Sequence, residues 1–513
     1  MYQLRRVAWP RNPTIINMRY LSLFLLLAST AVAAETPVGS PVSDRLYTIS
    51  RELYGRSLMD RFEYAAMEKP IGDGSNIFDK NLIEQFNILY NEYNRPYSSP
   101  KFTADLNIIE SNRQHKSNSN YLKLFPEVKI DFNQRLSANI LYRIDGELNR
   151  DPRYDGKTWD GIAGFPENAT LDYRSGSLEA RFGIERLSWG NASYGNLMFA
   201  RQAMPMPLLA ISYHRAIFDF ETATGFLSPL KTQLDSSTID ISFFTSEQRY
   251  LTAHSLTVKP LKSLSFSLRE VVLYGGPGRR LEPIYLFPFI WYHGQQLNSR
   301  LNDNILGSLG ADWRFRGQFW LYGEFLVDDI QVEHKSRGDY EPNQLAYLAG
   351  TEIYDLPLKG STIAIEYERV NNWTYNQGIA HNRYTNLNYP IGFPDGPDVD
   401  ILNWRLSWWA DKNIKLTYSG LYRRHGAGRI DTPWTRPWLD VSHYTEPFPT
   451  GTIERQSTHA LDILAMKKNW LWGNIGLKFT DIINVANNPG LRNKSWELSF
   501  DIGVKIPPLI WGF

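Results

Sequence analysis

At 513 residues the chain is long enough for several soluble domains or for one large barrel. A mean hydropathy of −0.38 argues against a helical membrane protein, the zero cysteines exclude a disulfide framework, a thiolate nucleophile and a cysteine metal site, and 55 basic against 54 acidic residues give no electrostatic case for nucleic acid. Aromatic residues reach 14%, with 16 Trp and 29 Tyr, which is high for an ordinary cytosolic enzyme.

The N-terminal stretch RYLSLFLLLASTAVAAE has the pattern of an export signal. Arg19 precedes an apolar core from Leu21 to Ala28, and small residues follow. That core is shorter than the ~20 residues a spanning helix needs. Residues 1–34 are therefore expected to be a signal peptide, with Met18 as an alternative start. Their removal takes away Arg5, Arg6, Arg11 and Arg19 and no acid. Past this segment there is no run of about 18 apolar residues. An exported chain of this kind still enters a membrane if it forms a barrel.

Residues 43–95 have helical periodicity. Ser43 is placed to cap a helix carrying Leu46, Ile49 and Leu53, with Gly55 as its stop. A second helix opens at Ser75 or Asn76. It carries Phe78, Leu82, Phe86, Leu89 and Tyr93 on one stripe and ends before Pro96. Residues 35–115 are expected to be a helical periplasmic cap or plug with its linker.

From about residue 120 the period drops to two. Leu178, Ala180, Phe182 and Ile184 alternate with Glu179, Arg181, Gly183 and Glu185. The same alternation runs through 263–270, 403–409 and 496–506. Candidate strands lie near 121–132, 135–145, 177–189, 196–203, 209–224, 236–246, 250–259, 263–274, 306–315, 319–330, 344–354, 361–370, 401–409, 413–424, 457–468, 470–481 and 495–506, with a weaker one near 168–174. A soluble sandwich would turn its charged face to bulk water. A transmembrane barrel turns its apolar face to lipid and must close, because lipid cannot satisfy an open sheet edge. Many runs reach the ~9–11 residues of a spanning strand, and the chain ends in an aromatic, Phe513. The expected fold is an all-β transmembrane antiparallel barrel over 116–513, of roughly 16–18 strands, in a bacterial outer membrane. The links 275–305, 371–400 and 425–456 are expected to be extracellular loops, some of them folded inward.

The segment LGSLGADWRFRGQFWLYGEFLVDDI reads as one hairpin of that barrel. A two-residue turn would set opposite faces together. A three-residue loop, Arg316 to Gln318, pairs Phe315 with Phe319 and keeps both faces in phase. Arg314 then neighbours Trp320, Asp312 neighbours Tyr322 and Gly310 neighbours Glu324. Asp328 lies one turn of the pleat further along. This inward patch of charge and aromatic ring suits carbohydrate: charged groups bond hydroxyls and rings stack on the apolar faces of sugars. The alternative is a charge ladder that hydrates and stiffens the lumen.

Catalytic patterns are weak. Asp328 and Asp329 are adjacent on a strand and point to opposite faces. Glu324 and Asp328 lie on one face but about 13 Å apart at strand rise, too far for a glycosidase pair. There is no HExxH and no GxSxG, and GGPGRR lacks the Lys-Ser/Thr of a phosphate loop. No enzyme activity and no cofactor or metal are expected.

Three blocks carry a family likeness: IERLSWGNASYGNLMFARQAMPMP, then LREVVLYGGPGRRLEPIYLFP with NDNILGSLGADWRFRGQFWLYGEFLVDDIQ, then IEYERVNNWTYNQGIAHNRYTNLNYPIGFPDGPDVD. In order and spacing, residues 178–400 resemble the capsule-assembly Wzi family of outer-membrane proteins. The resemblance implies an 18-stranded barrel with a periplasmic helical plug. It implies a lectin-like role in attaching exported capsular polysaccharide or exopolysaccharide to the cell surface, in contact with outer-membrane lipid and with polysaccharide export machinery. Asp303, Asn304, Glu324, Asp328 and Asp329 fall in the matching blocks. With Asp312, Arg314, Trp320 and Tyr322 of the inward patch, all but Asp329 form the set of polysaccharide-binding candidates. A general or substrate-selective diffusion porin is the second reading, and an outer-membrane hydrolase a third.

Overall fold

The computed structural model describes residues 41–57, 82–87, 101–114, 118–233, 244–299, 302–331, 340–441, 443–467 and 470–512. The export segment, most of the second helix and Phe513 lie outside the described residues.

Eighteen antiparallel strands form one sheet. In chain order they are β1 Lys101–Gln114, β2 Asn118–Asp131, β3 Leu136–Asp145, β4 Ala163–Ser175, β5 Leu178–Glu185, β6 Met206–His214, β7 Phe218–Gln233, β8 Phe244–Leu261, β9 Leu264–Gly276, β10 Asn304–Phe315, β11 Phe319–Asp329, β12 Gln344–Tyr354, β13 Ser361–Val370, β16 Val399–Trp409, β17 Ile414–His425, β18 Glu454–Lys467, β19 Leu471–Ile483 and β20 Arg492–Gly512. The two-residue strands β14 (Thr385–Asn386) and β15 (Tyr389–Pro390) form a separate small hairpin. Pairing of β1 with β20 closes the sheet into a barrel, with Lys101 opposite Gly512. Closure removes the open edges that lipid could not satisfy.

The alternation in the sequence maps onto two environments. Along β10 and β11, Leu309, Trp313, Phe315, Leu321 and Phe325 are exposed on the outer wall, while Ser308, Asp312, Arg314, Trp320, Tyr322, Glu324 and Leu326 are buried inside. Exposed Phe182, Leu406, Leu461 and Trp496 continue the outer belt on other strands. A closed wall that shows large apolar side chains outward is built for lipid. The rim holding Lys101 and Gly512 also carries the short turns, such as 176–177 and 316–318. It is the periplasmic rim, and the long links lie at the extracellular one.

The hairpin register matches the phase argument: Phe315 pairs with Phe319, Arg314 with Trp320, Asp312 with Tyr322 and Gly310 with Glu324. The loop holds Arg316 at φ 56° and Gly317 at φ 64°, a left-handed pair that glycine makes cheap at the second position.

Four expectations change. The barrel begins at Lys101, before residue 116, because β1 is a full wall strand. The run 209–224 is not one strand but the β6–β7 hairpin, turned at 215–217. Residues 196–203 are not a wall strand: they lie in the link between β5 and β6, and Leu197, Met198, Phe199 and Ala200 are fully buried in the lumen. The separate strands at 236–246 and 250–259 are replaced by the single β8; residues 236–243 lie outside the described residues.

Candidate functional site

The helix Pro41–Gly55 enters the barrel at the periplasmic end. It starts two residues before the expected Ser43 cap and ends on Gly55. Ile49, Ser50, Arg51, Glu52, Leu53 and Tyr54 are all buried. Burial on every side is the mark of a helix inside a protein, not on its surface. Gly55 permits this: a Cβ there would meet the Tyr354 hydroxyl at 1.9 Å. The helical segment 82–87 sits at the rim, where Gln85 Nε2 donates to the Lys412 carbonyl at 2.6 Å.

The barrel wall grips the helix through charge. Arg51 Nε donates to Glu352 Oε1 at 2.9 Å, and Arg56 pairs with Asp355 at 2.8 Å. The Tyr54 hydroxyl donates to Asp312 at 2.8 Å. The Arg314 guanidinium lies 4.0 Å from the centre of the Tyr54 ring, and that of Arg51 lies 4.5 Å from the Trp320 ring. These are cation–π distances in a site without bulk water. The lower half of the inward ladder thus holds the helical plug.

Above the helix, the link 186–205 dips into the lumen. Arg51 Nη1 donates to the Asn191 carbonyl at 2.5 Å, so helix and link touch. Glu366 of β13 accepts from the backbone N–H groups of Ser193 at 2.9 Å and Tyr194 at 2.8 Å, and from the Tyr322 hydroxyl at 2.6 Å. Glu324 accepts from the Leu197 N–H at 3.3 Å and faces Arg269 at 3.5 Å. Between the wall and Gly190 and Asn191 of the link, a polar cavity of about 10 Å³, bordered by Arg269, Asp312, Tyr322 and Glu324, has room for about one water.

The link 371–398 closes the extracellular end. Asp328 accepts from the Tyr375 N–H at 2.6 Å. The Tyr375 and Tyr384 hydroxyls donate to the carbonyls of Leu197 at 2.5 Å and Met198 at 3.0 Å, so this link lies on the first. Asn304 Nδ2 donates to the Asn382 carbonyl at 2.9 Å. Tyr194 donates to Asp395 at 2.6 Å, as does Arg423. Burial opposes the charge on Asp395, but the Arg423 guanidinium outweighs it and holds the carboxyl below the usual range.

Asp303 behaves differently from the other candidates. It accepts from the Tyr285 hydroxyl at 2.7 Å and from Arg279 at 3.0 Å. These partners belong to the link after β9, whose described residues 277–299 fold neither into the lumen nor away into water. It lies against the outer wall, over Tyr250, Val272 and Tyr274, which alternate with the lumen-facing Leu251, Val271 and Leu273. Glu270, also on the outer face, accepts from the N–H groups of Tyr292 at 2.9 Å and His293 at 3.0 Å. These open the helix Tyr292–Ser299, so a wall carboxylate caps it. The flap presents Phe287, Phe289, Trp291 and Leu297 to the bilayer.

The eight sequence candidates are therefore not brought together as one open patch. Asp312, Arg314, Trp320 and Tyr322 contact the helix or its neighbours, Asn304, Glu324 and Asp328 hold the inward links, and Asp303 holds the outer flap. The sequence reading did not single out Arg51, Glu352 and Glu366. Arg51 and Glu52 in the helix and Arg56 just after it were the available signal: charges on a segment with apolar periodicity call for partners.

The family model of the capsule assembly protein Wzi matches residues 123–494. The chain belongs to that family. No curated protein matches it by sequence. Among solved structures, the Escherichia coli outer-membrane protein Wzi, reported as a carbohydrate-binding β-barrel involved in group 1 capsule assembly, aligns with a TM-score of 0.60 at 13% identity, covering 92% of this chain and 98% of that one. At that identity the likeness is one of fold. Pseudomonas aeruginosa OprD aligns at a TM-score of 0.44 and 9% identity, over 80% of this chain and 97% of that one. Acinetobacter baumannii OccAB1 gives 0.44 and 9%, over 80% and 98%. With its closed wall and outward apolar belt, this Wzi-family chain is an outer-membrane β-barrel.

Proposed function

We propose that the protein binds exported capsular polysaccharide or exopolysaccharide at its extracellular face and helps to assemble or anchor it on the cell, without catalysis. The observation that carries this reading is a lumen entered from the periplasmic end by the helix and from the extracellular end by the links 186–205 and 371–398, which bond to one another and to the wall, in a member of a capsule-assembly family. Segments packed into the lumen in this way argue against a diffusion porin, which needs a continuous aqueous path. The buried ladder serves binding indirectly, by fixing the links that shape the outer face.

Direct contacts are assigned to the extracellular aromatics. Trp159 is 80% exposed. It is displayed on a tight turn in which Trp159 and Ile162 exchange backbone bonds at 2.9 Å, with Asp160 at φ 47° and Gly161 at φ 78°. Half-buried Trp434 leans on Trp373, with ring centres 5.0 Å apart. Rigid rings beside carboxylates suit sugar faces and hydroxyls. Export machinery on the periplasmic side is the expected protein partner. The test is binding of the purified barrel to the surface polysaccharide of its own cell. Saturable binding that weakens in Trp159→Ala and Trp434→Ala supports the reading, and no binding by the folded wild type overturns it.

A further inference from the structure

One cross-strand row on the outer wall has a composition that the lipid belt does not explain. Arg369 pairs in register with Asp400, Asp400 with Arg424, Arg424 with Arg455, Arg455 with Ile483, and Ile483 with Arg492. Residues directly opposite one another share a face of the sheet, so the whole row points one way. That way is outward: on the same faces, two positions along their strands, stand exposed Leu402 and Tyr422. The row crosses six strands, about 24 Å at ~4.8 Å per strand. Each member lies within the last two residues at the extracellular end of its strand. The row therefore runs along the extracellular rim of the wall, just beyond its exposed apolar positions.

Lys494 joins the row through its neighbour Asp481. The patch then holds Arg369, Arg424, Arg455, Arg492 and Lys494 against Asp400 and Asp481. Arg424 is paired with Asp400 at 2.5 Å and Arg492 with Asp481 at 2.5 Å. Among the described residues no carboxylate pairs with Arg369 or Arg455. Arg369 is instead pre-set: Nε donates to Asn371 at 3.0 Å, and its guanidinium lies 3.5 Å from the centre of the Phe448 ring. The side chain of Lys494 is 56% exposed and that of Arg492 50%. Toward the middle of the wall, Leu402, Tyr422, Leu461, Ile463 and Leu477 are exposed. Arginine forks match phosphate oxygens bidentately, and the apolar surface beside them matches an acyl chain.

We propose that this row binds the phosphate groups of phosphorylated lipids in the outer leaflet and fixes the barrel against them. The ligand is a lipid headgroup and not a free anion, because the cations border a surface that only acyl chains would cover. Each arginine near a charged bilayer surface adds about fivefold to affinity.

The test uses the full-length protein purified in detergent, with bound lipid counted by native mass spectrometry. Bis-phosphorylated lipid A, dephosphorylated lipid A and phosphatidylcholine are the probes. The wild type is expected to retain the phosphorylated lipid in preference to both others. Arg369→Gln with Arg455→Gln is expected to weaken that retention by about 25-fold, and the same pair changed to Lys to keep most of it. Heat-shifted gel mobility verifies that each barrel is folded. Equal retention of phosphorylated and dephosphorylated lipid by the wild type overturns the proposal, and needs no variant. So does undiminished binding in the folded Gln variant. Displacement by millimolar inorganic phosphate, or by an anionic polysaccharide in place of lipid, overturns it in favour of those ligands.

Discussion

Arg51 of the plug helix and Glu352 of the barrel wall form a buried ion pair at 2.9 Å, 301 residues apart in sequence. The pair ties the two ends of the architecture together, since Arg51 also touches the inward link at Asn191. Arg51→Met removes one charge and leaves Glu352 with Arg405, at 3.7 Å, as its remaining cation. Breaking a buried pair in this way costs about 3 kcal/mol. The helix should then leave the lumen part of the time. Planar-bilayer recording should show brief openings in the variant and a closed wild type.

Glu366 fixes the link above the helix. In Glu366→Gln an amide NH2 replaces one of the oxygens that accept from Ser193, Tyr194 and Tyr322. An N–H then faces a donor, a mismatch worth about 1–3 kcal/mol. Trypsin should cut at Arg201 faster in the variant than in the wild type. Tyr322→Phe, which loses only the phenol bond to Glu366, should fall between them.

The outer flap depends on Glu270. Glu270→Ala leaves the N–H groups of Tyr292 and His293 without their acceptor, at a cost of about 1–2 kcal/mol. Amide exchange over residues 285–299 should accelerate while the inward links keep their protection. Unchanged exchange there would mean that Asp303 and the apolar contacts hold the flap without the cap.

Glu341, between β11 and β12, is pushed up to about 7 by burial and then by the nearby charge of Asp329. A carboxyl raised in the folded state favours folding when protonated. Its contribution is complete below the ordinary glutamate range and is lost as pH rises through about 7. Thermal unfolding in detergent should occur at a lower temperature at pH 8 than at pH 5.5. Glu341→Gln should reduce that difference.

The barrel was legible in the sequence because the lipid-facing pattern is local: each strand announces itself by period two. The tally of candidate strands nevertheless came close to 18 through errors that offset one another. Lys101–Gln114 went unread because Glu110 and Asn112 occupy outward positions and blur its apolar face. The β6–β7 turn at 215–217 was hidden because Arg215, Ala216 and Ile217 carry neither Gly nor Pro. Residues 196–203 imitated a strand because a link buried in the lumen must itself be apolar. The site was less legible for a related reason. Asp312, Arg314, Trp320, Tyr322 and Glu324 were placed on the correct face, but a period-two pattern does not reveal what fills the space they face. That depends on contacts with Arg51, Tyr54 and Leu197, more than 100 residues away. The outward fold of 277–299 was hidden too, since Tyr250, Val272 and Tyr274 look the same under a flap as they do under lipid.

A barrel that keeps exported polymer on the cell controls where that polymer is found. The most direct measurement is the partition of surface polysaccharide between cells and medium after deletion of the gene. Total polymer should stay the same while most of it moves into the medium, and the wild-type gene should restore it to the cells. Cell-bound polymer unchanged by the deletion would contradict the account.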